Sequence, residues 1–121
     1  MKPLVRFTLE GEPVPKARPR VLRNGHVYTP KRTVDYETAL RLAARAAFFV
    51  YPTDQKGLVV SALFGRTAMR GDLDNLLKSL LDAMQGIIYV DDRQVWGFKD
   101  VAQFRAETPF TEATVWAGEG S

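Results

Sequence analysis

Five aspartates fall between positions 72 and 92, and four of them form two tight pairs, Asp72 with Asp74 and Asp91 with Asp92. Two or three carboxylates from neighbouring elements make a hard, oxygen-rich pocket suited to Mg²⁺, which keeps several waters and often bridges to phosphate. Without a cation, crowded carboxylates repel each other, so at least one is expected to have a raised pKa or to destabilise the fold. A divalent metal supplies Lewis-acid stabilisation of phosphoryl and leaving oxygens and activates water. The pattern therefore predicts metal-assisted phosphodiester hydrolysis.

A helix is predicted to position the first pair. Leucines and a methionine recur at helical spacing between positions 73 and 84, and Gly86 is a natural stop, so the helix is expected over 72–85. Asp74 and Lys78 fall opposite the apolar stripe and therefore outside the core. At the non-helical cap position, Asp72 can turn its side chain beside that of Asp74. Lys78 is then placed to stabilise a developing phosphorane or to position the scissile phosphate.

A purely structural explanation of these residues also exists. Asp72 is a good helix N-cap, and Asp74 in the first turn is favoured by the helix dipole. Lys78 is the i,i+4 partner of Asp74, an exposed pair worth a few tenths of a kcal/mol. In the second pair, strand alternation sends Asp91 and Asp92 to opposite faces, so only one of them is expected to bind metal. Spacing alone leaves open which one.

The remaining patterns predict an α+β fold. Alternating or apolar runs indicate strands and an alanine-rich run, with Thr33 as its cap, indicates a first helix. Asn24-Gly25 indicates a two-residue hairpin turn. We expect one domain over residues 1–121, a mixed sheet with two helices, with 1–3 and 118–121 frayed. The predicted order is strands at 5–9, 20–23 and 26–29, helix 33–49, strand 57–65, helix 72–85, and strands at 94–101 and 111–117.

The charge is divided unevenly along the chain. Residues 1–70 carry 13 Lys/Arg against 5 Asp/Glu, a net +8, and residues 71–121 carry 4 against 9, a net −5. A basic half can hold phosphates while an acidic half holds metal. An edge strand protected by charge and proline is the structural alternative for the basic arm PVPKARPR. The side chains predicted to contact DNA phosphates are Lys16, Arg18, Arg20, Arg23, Lys31, Arg32, Arg66 and Arg70.

Composition excludes several other chemistries. With no cysteine and one histidine, His26, the chain offers no disulfide framework, no thiolate nucleophile and poor support for a catalytic triad. No apolar run approaches the roughly 18 residues that span a bilayer, and the N-terminus lacks the order of a signal peptide. We therefore expect a cytoplasmic protein with no membrane partner and no small-molecule cofactor.

Several motifs together resemble a known family. The segment DLDNLLKSLLDAMQGIIYVDDRQV is similar to the signature of the RusA family of Holliday junction resolvases, endonucleases often carried by prophages. GEPVPKARPR, and NGHVYTP followed by YE, are also similar to members of that family. The resemblance covers roughly residues 11–37 and 70–96.

The resemblance implies a homodimeric, Mg²⁺-dependent nuclease of DNA recombination and repair, in which Mn²⁺ is expected to substitute. It would cut four-way DNA junctions by paired, symmetric nicks, one per subunit. By position, Asp72 and Asp74 match the family's first two catalytic carboxylates, Lys78 its essential lysine, and Asp92 its third carboxylate. The spacer before the second pair is one residue shorter than in some members, which leaves Asp91 as an alternative ligand.

Two other functions compete with this one. A DNA-binding recombination accessory protein would use the acidic cluster only structurally. A phosphatase-like enzyme would use Asp72 as a covalent nucleophile, but that motif is expected directly after a strand, and here the loop RTAMRG intervenes. The phosphatase function also leaves the basic arm unexplained.

Overall fold

A computed structural model of the protein describes residues 1–118. The predicted order of strands and helices is confirmed, with one short 3₁₀ helix in addition. Lys2 and Pro3, which were expected to fray, lie in the first strand, and residues 119–121 of the other expected frayed end lie outside the described residues. The elements are β1 (Lys2–Glu10), β2 (Arg20–Val21), β3 (Val27–Tyr28), α1 (Lys31–Ala47), β4 (Leu58–Arg66), α2 (Leu73–Met84), the 3₁₀ helix (Asp92–Gln94), β5 (Val95–Arg105) and β6 (Phe110–Ala117).

Four strands form a mixed sheet in the order β1-β6-β4-β5. β6 pairs antiparallel with both β1 and β4, whereas β4 and β5 are parallel. Parallel neighbours need a crossover connection, and α2 supplies it. Leu58 is therefore beside Val95 at one end of the strand pair, and Arg66 is beside Arg105 at the other.

The two helices cover one face of this sheet. From Leu58 to Phe64, β4 alternates buried and half-buried residues, and its buried apolar side chains share one core with the apolar stripes of α1 and α2. The leucine stripe of α2 is core, as its spacing predicted: Leu76, Leu80 and Met84 are fully buried. Neither helix of residues 1–118 is long and apolar enough to cross a membrane.

The hairpin β2–β3 differs from its prediction in two ways. It forms a separate two-stranded sheet and does not join the main one. Its turn has three residues, not two, because the Gly25 N–H donates to the Leu22 carbonyl and Gly25 alone takes a positive φ of 83°. This is the three-residue loop in which a type I turn is followed by a left-handed glycine.

The start of α1 also differs from its prediction. Pro30, not Thr33, is the N-cap residue, and no side chain caps the helix. The Pro30 carbonyl accepts hydrogen bonds from the Thr33 and Val34 N–H groups, so the helix begins two residues earlier than expected. Thr33 is instead buried in the first turn.

Candidate metal-dependent nuclease site

Asp72 and Asp74 lie at the exposed start of α2. Asp72 occupies the N-cap position with an extended backbone, yet its side chain accepts no cap hydrogen bond. Neither carboxylate, nor the exposed Lys78, has a hydrogen-bond or ion-pair partner among residues 1–118, so the expected Asp74–Lys78 pair is not formed. The side-chain cap and the Asp74–Lys78 ion pair of the structural explanation are therefore absent from the described residues, and the helix-dipole role of Asp74 is what remains of it. All three side chains are thus available to an external ligand.

The basic arm is fixed against the first turns of α2. The Lys16 N–H donates to the Asn75 carbonyl at 2.8 Å, and Ser79 Oγ donates to the Val14 carbonyl at 3.1 Å. Gly71 allows the close approach, since a Cβ there would lie 2.7 Å from Pro15 Cγ, and its φ is +80°. The arm and the two exposed carboxylates therefore lie on adjoining parts of one surface.

Lys16, predicted to contact phosphate, is engaged with protein carboxylates. Its Nζ lies 2.6 Å from Glu37 Oε1 on α1 and 3.2 Å from Asp82 Oδ2 on α2. Burial opposes the charge of Lys16, but the bonds to Glu37 and Asp82 outweigh it and raise the lysine's pKa. Lys16 thus ties the arm to both helices, and Asp82 has a role that helix spacing alone did not reveal.

The structure separates the roles of the second acidic pair. Asp91 caps the 3₁₀ helix, because its Oδ1 accepts from the Arg93 N–H at 2.9 Å while Gln94 Oε1 accepts from the Asp91 N–H at 2.9 Å. Hydrogen bonds from the Arg93 side chain and backbone lower the pKa of Asp91. The D-x-x-Q spacing of Asp91 and Gln94 is the sequence signal of this capping box.

Asp92, in contrast, is exposed, and no lysine or arginine among the described residues forms an ion pair with it. Its backbone N–H donates to Gln85 Oε1 at 3.0 Å, which holds Asp92 at the C-terminal end of α2. Of the two adjacent aspartates, Asp92 is therefore the one whose carboxylate neither caps the 3₁₀ helix nor forms an ion pair with Arg93.

The two acidic pairs do not meet within one chain. Asp72 precedes α2 and Asp92 follows it, and twelve helical residues at 1.5 Å each separate the ends by about 18 Å. Among residues 1–118, no three Asp, Glu or His side chains are grouped closely enough to hold a metal ion. The donors have the hard-oxygen chemistry that Mg²⁺ prefers, but α2 holds them apart.

The predicted DNA-binding residues fall into two groups. Arg18, Arg23 and Lys31 are exposed, and Lys31 pairs with Asp35 at 2.6 Å. Arg66 differs from the expectation of a surface cation, because it is only 3% exposed. Five of the predicted residues line one cavity of about 490 Å³ next to the start of α2: Lys16, Arg20, Arg32, Arg66 and Arg70.

Glu12 was not predicted, yet it positions the loop that leads to Asp72. Its carboxylate accepts hydrogen bonds from the Thr67 N–H, the Thr67 hydroxyl and the Ala68 N–H at 3.0 to 3.4 Å. Burial raises the pKa of Glu12, but these hydrogen bonds and the charge of Arg66 outweigh it, and the net result is a lowered pKa. Glu12 thus anchors the RTAMRG loop to the arm.

Acidic and basic residues thus lie together at the start of α2. A comparison with known proteins identifies the family. The family model for endodeoxyribonuclease RusA matches residues 10–115. The chain belongs to the RusA family. It is also 30% identical to uncharacterized protein YqaN of Bacillus subtilis (strain 168), in an alignment that covers 92% of this chain and 94% of that protein.

The RusA match spans nearly all the described elements, from the end of β1 to β6. It includes Asp72, Asp74, Lys78 and Asp92, and it also includes the arm and the cavity. RusA membership makes the chain an endodeoxyribonuclease. The expected resemblance is therefore confirmed at the level of family and fold.

Proposed function

We propose that this protein resolves branched DNA as a Mg²⁺-dependent endonuclease, cutting four-way junctions by paired nicks. The observation that carries the proposal is the state of Asp72 and Asp74, two exposed carboxylates without protein partners beside an arginine-lined cavity. Carboxylates in such a place repel a phosphate backbone unless a cation intervenes. RusA family membership supports the same substrate class.

Asp72, Asp74 and Asp92 are the proposed metal ligands. A bound Mg²⁺ would supply Lewis-acid stabilisation of the phosphoryl oxygens and activation of water, and Mn²⁺ has compatible ligand chemistry. Asp92 is preferred over Asp91, because Arg93 already binds the Asp91 carboxylate. Lys78, one turn after Asp74 on α2, is proposed to stabilise charge on the phosphate that is cut.

The separation of the acidic pairs supports a homodimer. A second copy related by two-fold symmetry, with the two α2 helices antiparallel, would bring Asp72 and Asp74 of one protomer near Asp92 of the partner subunit. Such an isologous arrangement creates two equivalent sites. A four-way junction has near two-fold symmetry, so two sites would allow paired cuts where a monomer would leave a single nick.

The proposal is tested by incubating an end-labelled four-way junction with the purified protein, with Mg²⁺ or with EDTA. We expect cleavage at symmetric positions in Mg²⁺ and none in EDTA. Asp72→Asn should bind the junction but not cut it. Lys78→Met should cut at least about 100-fold more slowly with binding preserved, and Lys56→Met, another exposed lysine, serves as its matched control.

Two results would oppose the proposal. Wild-type binding without any metal-dependent cutting would favour the accessory function, in which the acidic residues are structural. Cleavage that persists in Asp72→Asn would remove Asp72 from the site.

A further inference from the structure

The arginine-lined cavity lies between the arm, the start of α1 and the loop that follows β4. Its volume is about 490 Å³, within the range of small-molecule and group-binding pockets. Arg20 comes from β2, Arg32 from the first turn of α1, Arg66 from the end of β4, and Arg70 from the loop before Asp72. Four arginines distant in sequence thus line one concave surface.

Arg66 is the unusual member of this set. Only 3% of the residue is exposed, and none of the described carboxylates forms an ion pair with it. Its Nη1 donates to Gln103 Oε1 at 3.2 Å, while its buried Nε has no hydrogen-bond partner within residues 1–118. Burying a cation with an unsatisfied donor is unfavourable unless a ligand compensates it. The Nε–H of Arg66 is therefore a buried donor that no described group satisfies.

The other charged groups at the cavity do not supply that acceptor. Both oxygens of Glu12 are taken by Thr67 and Ala68. Lys16 is neutralised by Glu37 and Asp82. The cavity thus keeps an excess of positive charge from its four arginines.

The start of α1 adds to this positive field. Pro30 and Thr33 line the cavity, so it opens on the N-terminal end of a 17-residue helix. No side chain caps that end, and its first turn contains no acidic residue. A helix N-terminus carries a partial positive charge that favours anions, above all phosphate. The helix end and the buried Arg66 point independently to an anionic ligand.

We infer that this cavity binds a phosphodiester group of the DNA strand, next to the one that is cut, with Arg66 as the buried anchor. The inference rests on the proposed function, because it takes DNA as the substrate. Gly71 lines the cavity and Asp72 follows it directly, so a strand that passes Asp72 carries a neighbouring phosphate to the arginines. Planar guanidinium groups bind phosphate oxygens in pairs. The cavity holds one phosphate of the DNA strand, and the neighbouring phosphate then lies at the carboxylate site, where it is hydrolysed.

The first test exploits the cost of burying Arg66 in the free protein. Arg66→Met should leave the thermal midpoint near that of wild type, because removing a buried cation offsets the loss of its hydrogen bond to Gln103 and of its attraction to Glu12. The same variant should bind a four-way junction in EDTA at least about tenfold more weakly. The slope of log affinity against log salt concentration should fall by about one. Arg66→Lys should keep the salt dependence of junction binding but bind more weakly. Lysine retains the positive charge but lacks the planar guanidinium group that binds two phosphate oxygens.

Arg45→Met is the matched control, because Arg45 is exposed in the last turn of α1 and does not line the cavity. It should change neither the thermal midpoint nor the junction affinity appreciably. A lower thermal midpoint with unchanged affinity in Arg66→Met would assign Arg66 a structural role only and overturn the inference.

The second test identifies the ligand directly. The Nε–H NMR signal of Arg66 should shift saturably with inorganic phosphate and with junction DNA, but not with chloride at equal ionic strength. Neutral methylphosphonates placed one at a time along the strand should weaken wild-type binding at one position near the cut, and that penalty should vanish in Arg66→Met. A response to inorganic phosphate without any such position would exclude the DNA backbone as the ligand.

The two proposals fail separately. Junction cutting with wild-type affinity in Arg66→Met would reject the cavity and leave the nuclease function intact. Phosphate binding at Arg66 in a protein that cuts no DNA would reject the nuclease function and leave an anion site.

Discussion

Arg93 binds both carboxylate oxygens of Asp91, with Nε 3.2 Å from Oδ1 and Nη2 3.2 Å from Oδ2. The neighbouring Asp92 carboxylate has no such cation, although the two residues are adjacent in sequence. Of these two adjacent aspartates, Asp91 therefore has a structural role, whereas the Asp92 carboxylate is available to an external ligand.

Substitution of each member of this pair should separate their roles. Asp92→Asn should reduce junction cutting by more than about 100-fold, because losing a metal ligand costs more than losing a group that orients one, and its thermal midpoint should stay near wild type. Asp91→Asn should lower the thermal midpoint, since it weakens the cap and the Arg93 contact, while cutting persists. Cleavage rates and thermal melts of both variants check this, and the reverse pattern would make Asp91 the ligand.

Mixing two inactive variants tests whether the site is shared between subunits. In a heterodimer of Asp72→Asn and Asp92→Asn, one composite site carries both changes and the other carries neither. We therefore expect the mixture to recover single-strand nicking, although neither variant cuts alone. A mixture that stays inactive, with heterodimer formation verified by mass spectrometry, would locate Asp72 and Asp92 in the same subunit's site.

We expect two residues of the arm to have different roles: Lys16 stabilises the fold, and Arg18 binds DNA. Lys16→Ala is expected to lower the free energy of unfolding by about 1 kcal/mol, because it leaves Glu37 and Asp82 without their shared cation. Arg18→Ala should leave the free energy of unfolding unchanged and weaken junction binding, with a flatter salt dependence, since Arg18 is exposed. Urea denaturation and fluorescence anisotropy measure the two effects, and equal effects of both variants on DNA binding would contradict the division.

Glu12 should make the stability of the loop before Asp72 depend on pH. Its pKa is lowered in the folded chain, so its stabilising contribution is complete above the unfolded value of about 4.3 and is lost as pH falls through the folded pKa. Wild type should therefore melt above Glu12→Gln at neutral pH, and the difference should shrink as the pH drops below about 4.3. Thermal midpoints of both proteins from pH 7 to pH 3 check this, and a constant difference would show that Glu12 does not act as a charged anchor.

The sequence predicted the element order because each element has its own local signal. Apolar spacing identified α2, and the alternation of β6 identified the last strand. The start of α1 differs because Thr33 resembles a cap, whereas the Pro30 carbonyl accepts the first helical hydrogen bonds. The separate hairpin sheet depends on which strand edges are free in three dimensions, and no local pattern encodes that.

The site was predicted by residue type but not by arrangement. Asp72, Asp74 and Lys78 are exposed at the start of α2, as their positions opposite the leucine stripe indicated. The roughly 18 Å between the ends of α2 follows from helix length and could have been calculated. Tertiary packing brings four arginines to one cavity, namely Arg20, Arg32, Arg66 and Arg70. It also brings Lys16 into contact with both Glu37 and Asp82. Sequence spacing carries no information on such contacts.

The central claim is that the protein makes two coordinated cuts in one junction. A supercoiled plasmid that extrudes an inverted repeat as a cruciform tests it directly, because paired cuts across the cruciform yield linear DNA and single cuts yield open circles. In Mg²⁺, we expect wild type to produce linear plasmid from the start of the reaction, and Asp72→Asn to leave the plasmid supercoiled. Accumulation of open circles alone, or cutting that is equal on a plasmid without the inverted repeat, would contradict junction resolution.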